Sequence, residues 1–164
     1  MRLDDELAIA LRLADAAGTA IRPHFRSGLQ SERKSDASPV TIADRAAEEA
    51  MRAILKAEVP QDGVIGEEFG DEEGTSGRTW VLDPIDGTVS FLAGRPIFGT
   101  LISLLVDGWP VLGVIDQPIL NERWVGVSGR PTLFNGMPTR TRACPSLDQA
   151  MLATTGPQYF NDHE

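Results

Sequence analysis

Trp80-Val81-Leu82-Asp83-Pro84-Ile85-Asp86-Gly87-Thr88 is the stretch whose reading decides this chain. An apolar, strand-like run stops at Leu82, and a helix start follows. Asp83 and Asp86, three residues apart, stand at the junction. Pro84 favours a sharp turn between them, which would let both carboxylates face one point. Asp86 then occupies the N-cap position of the following helix. The N–H groups of Gly87 and Thr88 lie at that helix start, a natural seat for phosphate oxygens. Hard cations and a phosphate in one small space are what these parts suggest.

Working outward, Val64-Ile65-Gly66 reads as a short strand that delivers Glu67-Glu68. If strand ends lie side by side, Glu67, Asp83 and Asp86 gather in one spot. Three carboxylates crowded together repel one another and are costly to desolvate. A divalent cation resolves the conflict, and an all-oxygen donor set points to Mg²⁺, with Mn²⁺ as the alternative. The plainer alternative makes Asp83 a turn former and Asp86 an ordinary cap. Glu68 either supports the metal from behind or is simply exposed.

Asp44 and Thr88 each fall in the first turn of a helix. A water attacking a phosphate ester must be held and deprotonated, and a carboxylate–hydroxyl pair does both. By its local sequence alone, Asp44 reads more simply as a first-turn acid that complements the helix dipole.

The rest of the chain supplies a scaffold. Leu3, Leu7, Leu11, Ala14, Ala17, Ile21 and Phe25 recur at helical spacing, with Pro23 loosening the last turn. Residues 27–39 read as a polar loop in which Lys34 is either solvated or within reach of a phosphate. A second helix starts near Thr41, where Asp44 makes a variant of the capping box, and Pro60 ends it. Its apolar face is Ala43, Ala47, Ala50, Met51, Ile54 and Leu55. Residues 70–78 read as a glycine-rich, acidic loop. Strands are predicted over 79–82, 100–106, 111–116, 123–127 and 151–155, with Asp107-Gly108 as a hairpin turn. Helices lead and strands follow, which favours a layered α+β arrangement over alternating βαβ units.

Composition narrows the field. The 164 residues fit one domain or one and a fraction, are 41% hydrophobic, enough for a sizeable core, and carry a net charge of -9. That charge disfavours nucleic acid or an anionic membrane as partner. It also repels a phosphate ester unless bound cations intervene. No apolar run reaches the length of a membrane span, and no signal-peptide pattern opens the chain. Cys144 is the single cysteine, so neither an intrachain disulfide nor a cysteine zinc site is available. A reducing cytoplasm is the expected compartment. His24 and His163 lack partners for a triad or a metal pair, and residues 161–164 read as a fraying terminus. Neither G-x-x-x-x-G-K-[ST] nor G-x-G-x-x-G occurs.

Gly66-Glu67-Glu68, the 80–88 stretch and Pro39-Val40-Thr41-Ile42-Ala43-Asp44 together resemble the inositol monophosphatase-like family of Mg²⁺-dependent, lithium-sensitive phosphatases. The resemblance runs from the first helix to near Phe160. It implies a first metal held by Glu67, Asp83 and the Ile85 carbonyl. A second would be shared by Asp83 and Asp86, with a looser third near Glu67. Asp44 and Thr88, joined by Glu67 in the catalytic set, would orient and activate water. The N–H groups of Gly87 and Thr88, with Asp86 beside them, would meet the substrate phosphate. It also implies an α-β-α-β-α layered sandwich, here represented by the helix pair and a largely antiparallel sheet, inhibition by Li⁺, and a homodimer. The resemblance reverses the plainer reading of Asp44.

Residues 94–102 and 141–147 resemble the bacterial histidinol-phosphate phosphatase branch, ahead of inositol monophosphate, with the fructose-1,6-bisphosphate and nucleotide 3′-phosphate branches behind. L-Histidinol phosphate, in histidine biosynthesis, is therefore the expected substrate. The family pattern continues into a second α/β half bearing a Trp-Asp motif. Here Trp124 is followed by Val125, with no later tryptophan. Residues 1–164 are therefore expected to be the N-terminal catalytic half. As a fragment of a longer enzyme or a truncated product, the chain would be impaired in turnover or a non-catalytic metal- and phosphate-binding remnant. Apolar surface between residues 100 and 155 is expected to lie bare and to promote self-association or capture of a partner.

Overall fold

The computed structural model describes residues 3–28, 32–33, 39–151 and 153. Helix α1 spans Asp4–Ile21, and a 3-10 turn over Arg22–His24 follows. The short strands β1 (Glu32–Arg33) and β2 (Pro39–Val40) pair antiparallel, so the stretch expected to be a loop contains a small ribbon. Lys34 lies outside the described residues. Helix α2 (Ile42–Glu58) opens with Thr41 as N-cap in a full capping box: Ala43 N–H donates to Thr41 Oγ1, and Thr41 N–H donates to Asp44.

Strands β3 (Gly63–Gly66), β4 (Gly70–Glu72), β5 (Arg78–Asp86), β6 (Gly99–Val106), β7 (Trp109–Gln117), β8 (Glu122–Val127), β9 (Leu133–Phe134) and β10 (Met137–Pro138) form one sheet. Its order is β10-β9-β8-β7-β6-β5-β3-β4. Every neighbouring pair is antiparallel except β3 with β5. The α+β expectation is met. Asp107 (φ 50) and Gly108 (φ 80) make the expected β6–β7 turn, both in the left-handed region that a primed hairpin turn requires.

Two expectations are corrected and one element is added. Residues 70–72 are a strand, because β3 recruits them as its outer partner through Gly66↔Gly70 pairing. Residues 133–138 form an unforeseen β9–β10 ribbon. Met151 and Ala153 lie in no strand, and the remainder of 151–155 lies outside the described residues, as do His163 and the terminus.

Strand register explains the core. Trp80, Leu104, Leu112 and Val127 form one cross-strand row, and Leu82, Ile102, Val114 and Val125 form the next. All eight are buried. Side chains alternate between faces, so both rows lie on one side, where α1 packs on β6 and β7 and α2 packs on β5. The buried stripe of α1 is Ile9, Ala10, Leu13, Ala14, Ala17, Gly18 and Ile21. Leu7 and Leu11 sit at its margin, so the face is rotated from the predicted one. Phe25 leaves the helix and closes the core end against Phe91 and Phe98, with ring centroids 5.8 and 5.7 Å away.

The other face carries the rows Val81–Ser103–Gly113–Gly126 and Asp83–Leu101–Ile115–Trp124. Among the described residues it bears no helix, and Ile115 is 50% exposed. The small side chains leave a groove of about 540 Å³ with Asp83 in its lining. The bare surface expected in this region is thus present on this face. No described helix is long and apolar enough to cross a membrane.

Candidate active site

The site grows from the end of β5. Contrary to expectation, the strand does not stop at Leu82, and Pro84 does not turn the chain. β5 runs through Asp86 with one residue inserted: it advances three residues, Asp83 to Asp86, while β6 advances two, Leu101 to Gly99. A bulge of this kind re-aims side chains without ending the strand and tolerates proline. Buried Thr100 fixes it, its hydroxyl donating to the Pro84 carbonyl at 2.8 Å. Asp86 is the last strand residue and is exposed; the N-cap of helix α3 (Thr88–Leu92) is Gly87, correcting the assignment to Asp86. Gly87 has φ 88, and a Cβ there would lie 3.3 Å from the Ile97 carbonyl, so conformation and space both favour glycine.

The parallel β3–β5 register places Gly66 opposite Leu82, and Glu67 N–H donates to the Leu82 carbonyl at 3.3 Å. Glu67 and Asp83 are therefore neighbours across two strand ends, and their carboxyl groups share a hydrogen bond. Asp83 Oδ1 is buried without a hydrogen-bond partner. Burial, then the hydrogen bond and charge of Glu67, then the charges of Asp86 and Asp44 push the Asp83 carboxyl from 3.8 up to about 8.

On the other side of the bulge, Asp44 is 1% exposed at the start of α2. Burial raises its carboxyl, opposed by hydrogen bonds from the Thr41 hydroxyl and N–H at 2.5 and 2.9 Å. The Thr88 hydroxyl lies 3.5 Å from Asp44 Oδ1 and donates to the Ile85 carbonyl at 3.1 Å. The structure thus brings Glu67 to Asp83 and Asp44 to Thr88, whose hydroxyl is tied to the Ile85 carbonyl. Asp86 reaches Asp83 through its charge. Among the described residues no three acidic, histidine or cysteine side chains converge tightly enough to form a finished cation cage. The donor set nevertheless fits a hard cation: every candidate ligand is oxygen, and one oxygen of Asp83 is buried and unsatisfied.

One consequence concerns pH. Between about 3.8 and about 8 the folded chain keeps a proton on Asp83 that the unfolded chain has released. Stability from this group is therefore complete below the lower value and is lost as pH rises through the upper one, with a slope of at most about 1.4 kcal/mol per pH unit. Thermal melts in chelator from about pH 5 to about pH 9 should show this fall. Excess Mg²⁺ should flatten it, because the cation takes the proton's place.

Sequence reasoning missed Glu48, Arg52 and Thr100. Glu48 was the detectable one: it lies four residues after Asp44, inside the otherwise apolar face of α2.

An α+β sheet is backed by two helices, and carboxylates crowd at adjacent strand ends beside a helix start. The chain belongs to the inositol monophosphatase family, whose model matches residues 2–162. It is similar to the chloroplastic bifunctional phosphatase IMPL2 of Arabidopsis thaliana, with 52% identity over 98% of this chain and 47% of that protein. It is also similar to a histidinol-phosphatase of Chlorobaculum parvum, with 40% identity over 96% of this chain and 61% of that protein. Among solved structures, an inositol monophosphatase from Zymomonas mobilis superposes with TM-score 0.83 at 56% identity, covering 98% of this chain and 62% of that one. The chain spans about half to three-fifths of the length of these relatives.

Proposed function

We propose that residues 1–164 are the metal-binding catalytic half of a Mg²⁺-dependent phosphomonoesterase that hydrolyses a small phosphorylated alcohol, L-histidinol phosphate before inositol 1-phosphate. The observation that carries the reading is the buried, unsatisfied Asp83 oxygen beside Glu67, one strand bulge from the Asp44–Thr88 pair. Glu67, Asp83, Asp86 and the Ile85 carbonyl would hold Mg²⁺, or Mn²⁺ in its place. When bound, such ions neutralise phosphate charge and lower the pKa of water. Asp44 and Thr88 would orient the attacking water, with Asp44 accepting its proton. The N–H groups of Gly87 and Thr88 would hold phosphate oxygens at the first turn of α3. Similarity to the histidinol-phosphatase of Chlorobaculum parvum supports the substrate order. A cytoplasmic homodimer and Li⁺ inhibition complete the proposal.

Phosphate release from L-histidinol phosphate and from inositol 1-phosphate, each with Mg²⁺, chelator or Li⁺, tests it. Turnover should need Mg²⁺, favour histidinol phosphate and fall with Li⁺. Turnover indifferent to chelator would remove the proposed chemistry. Mn²⁺ binding without turnover would confine the proposal for residues 1–164 to metal binding.

A further inference from the structure

The α2 face that carries Asp44 continues through Glu48 to Arg52, each a helical turn further along. Glu48 is wholly buried (0% exposed), which is rare for a glutamate without dedicated partners. Its carboxylate accepts Arg52 Nε at 2.8 Å, Glu68 N–H at 2.7 Å and Phe69 N–H at 3.3 Å. Arg52 in turn donates to the Gly70 carbonyl and, at 2.8 Å, to the Glu72 carboxylate. Gly66 lies directly beneath the pair, and a Cβ there would overlap both the Glu48 carboxylate and the Arg52 guanidinium.

These contacts bracket Glu67. Its own N–H is fastened to Leu82 of β5, and the next two N–H groups are fastened to Glu48. Gly66 faces the helix layer, and Glu67, the first residue after β3, meets Asp83. Apolar side chains could close the α2–β3 contact without the desolvation cost of a buried ion pair. The carboxylate supplies a separate acceptor oxygen to each of the two consecutive N–H groups and balances the Arg52 charge, a combination that neither an apolar nor an amide side chain offers.

We propose that Glu48, clamped by Arg52, is a positioning residue that aims the Glu67 carboxylate at the cation site. One helix face thereby sets both sides of the site: Asp44 at Thr88, and Glu48 behind Glu67. The inference rests on Glu67 being a metal ligand, and the experiment separates the two claims.

In the full chain, Mn²⁺ affinity is measured by electron paramagnetic resonance well below the melting temperature, for the parent, Glu67→Gln, Glu48→Gln, Arg52→Lys and Asp62→Asn. Glu67→Gln should abolish the tight site. Glu48→Gln should weaken it by about 10–100-fold, the usual effect of losing a group that orients a ligand, and should add no further loss in the Glu67→Gln background. Arg52→Lys, which keeps the charge but loses the fork, should weaken it less. Asp62→Asn disturbs hydrogen bonds to Ser76 and Trp80 away from the carboxylates, and should lower the melting temperature with Mn²⁺ affinity unchanged. Unchanged affinity in Glu67→Gln would overturn the ligand reading. Loss in Glu67→Gln with Glu48→Gln within about twofold of the parent would overturn the positioning role alone. If Glu48→Gln does not fold, Arg52→Lys decides, and parental affinity there overturns the proposal.

Discussion

Asp83→Asn is expected to stabilise the metal-free chain above about pH 8 while abolishing tight Mn²⁺ binding. The two effects have one cause. In the folded chain the ionised Asp83 is partly desolvated and faces the charges of Glu67, Asp86 and Asp44. One of its oxygens has no partner. A buried unsatisfied polar atom costs about 1–3 kcal/mol, more when charged. The amide removes the charge and offers an N–H₂ donor to Glu67, so a gain of at least about 1 kcal/mol is expected, read as a rise of a few degrees in Tm at this chain length. The same change deletes the carboxylate proposed above as the central cation ligand. Its effect on affinity should exceed the roughly 10–100-fold cost of losing an orienting neighbour. Calorimetric Mn²⁺ titration and chelator-treated thermal melts read both sides. A variant that binds Mn²⁺ like the parent, or that melts lower in chelator, would contradict this account of the site.

Trp80→Ala is the substitution expected to damage the fold most. Trp80 is fully buried at the head of a cross-strand row, and its indole N–H donates to Asp62 Oδ2 at 3.0 Å. Truncation should cost about 3–5 kcal/mol through the cavity alone, a large share of the roughly 5–15 kcal/mol that holds a domain together. It also leaves a buried Asp62 oxygen without its partner. Trp80→Phe keeps most of the volume and loses the hydrogen bond, so it should fall between parent and alanine. Urea midpoints followed by circular dichroism order the three proteins. Equal midpoints would mean that this row does not seal the sheet against α2.

Where local chemistry suffices, the sequence was legible. Thr41 and Asp44 announce a capping box because both partners lie within one turn. Asp107-Gly108 announces a hairpin because few other residue pairs accept two positive φ angles. The candidate site was legible as a set of residue types: Glu67, Asp83, Asp86, Asp44 and Thr88 stand out as oxygen donors at or near element ends. Glu48 did not stand out, because glutamate is a good helix former and is exposed by default. Asp86 was assigned a cap that Gly87 takes, because a proline after Asp83 reads locally as a turn, whereas pairing with β6 absorbs it as a bulge.

By itself, the sequence determined the two helices, the alternating strands, the acidic inventory and the small residues that leave one sheet face bare. Tertiary structure alone decided that Glu67 meets Asp83, that Asp44 meets Thr88, and that Glu48 turns inward against Gly66. Periodicity reports which side of an element is apolar. It carries no information about which distant strand will lie alongside, in what register, or with what extra residue. Those choices are made by long-range hydrogen bonds and packing, and they bring the charges of this site together.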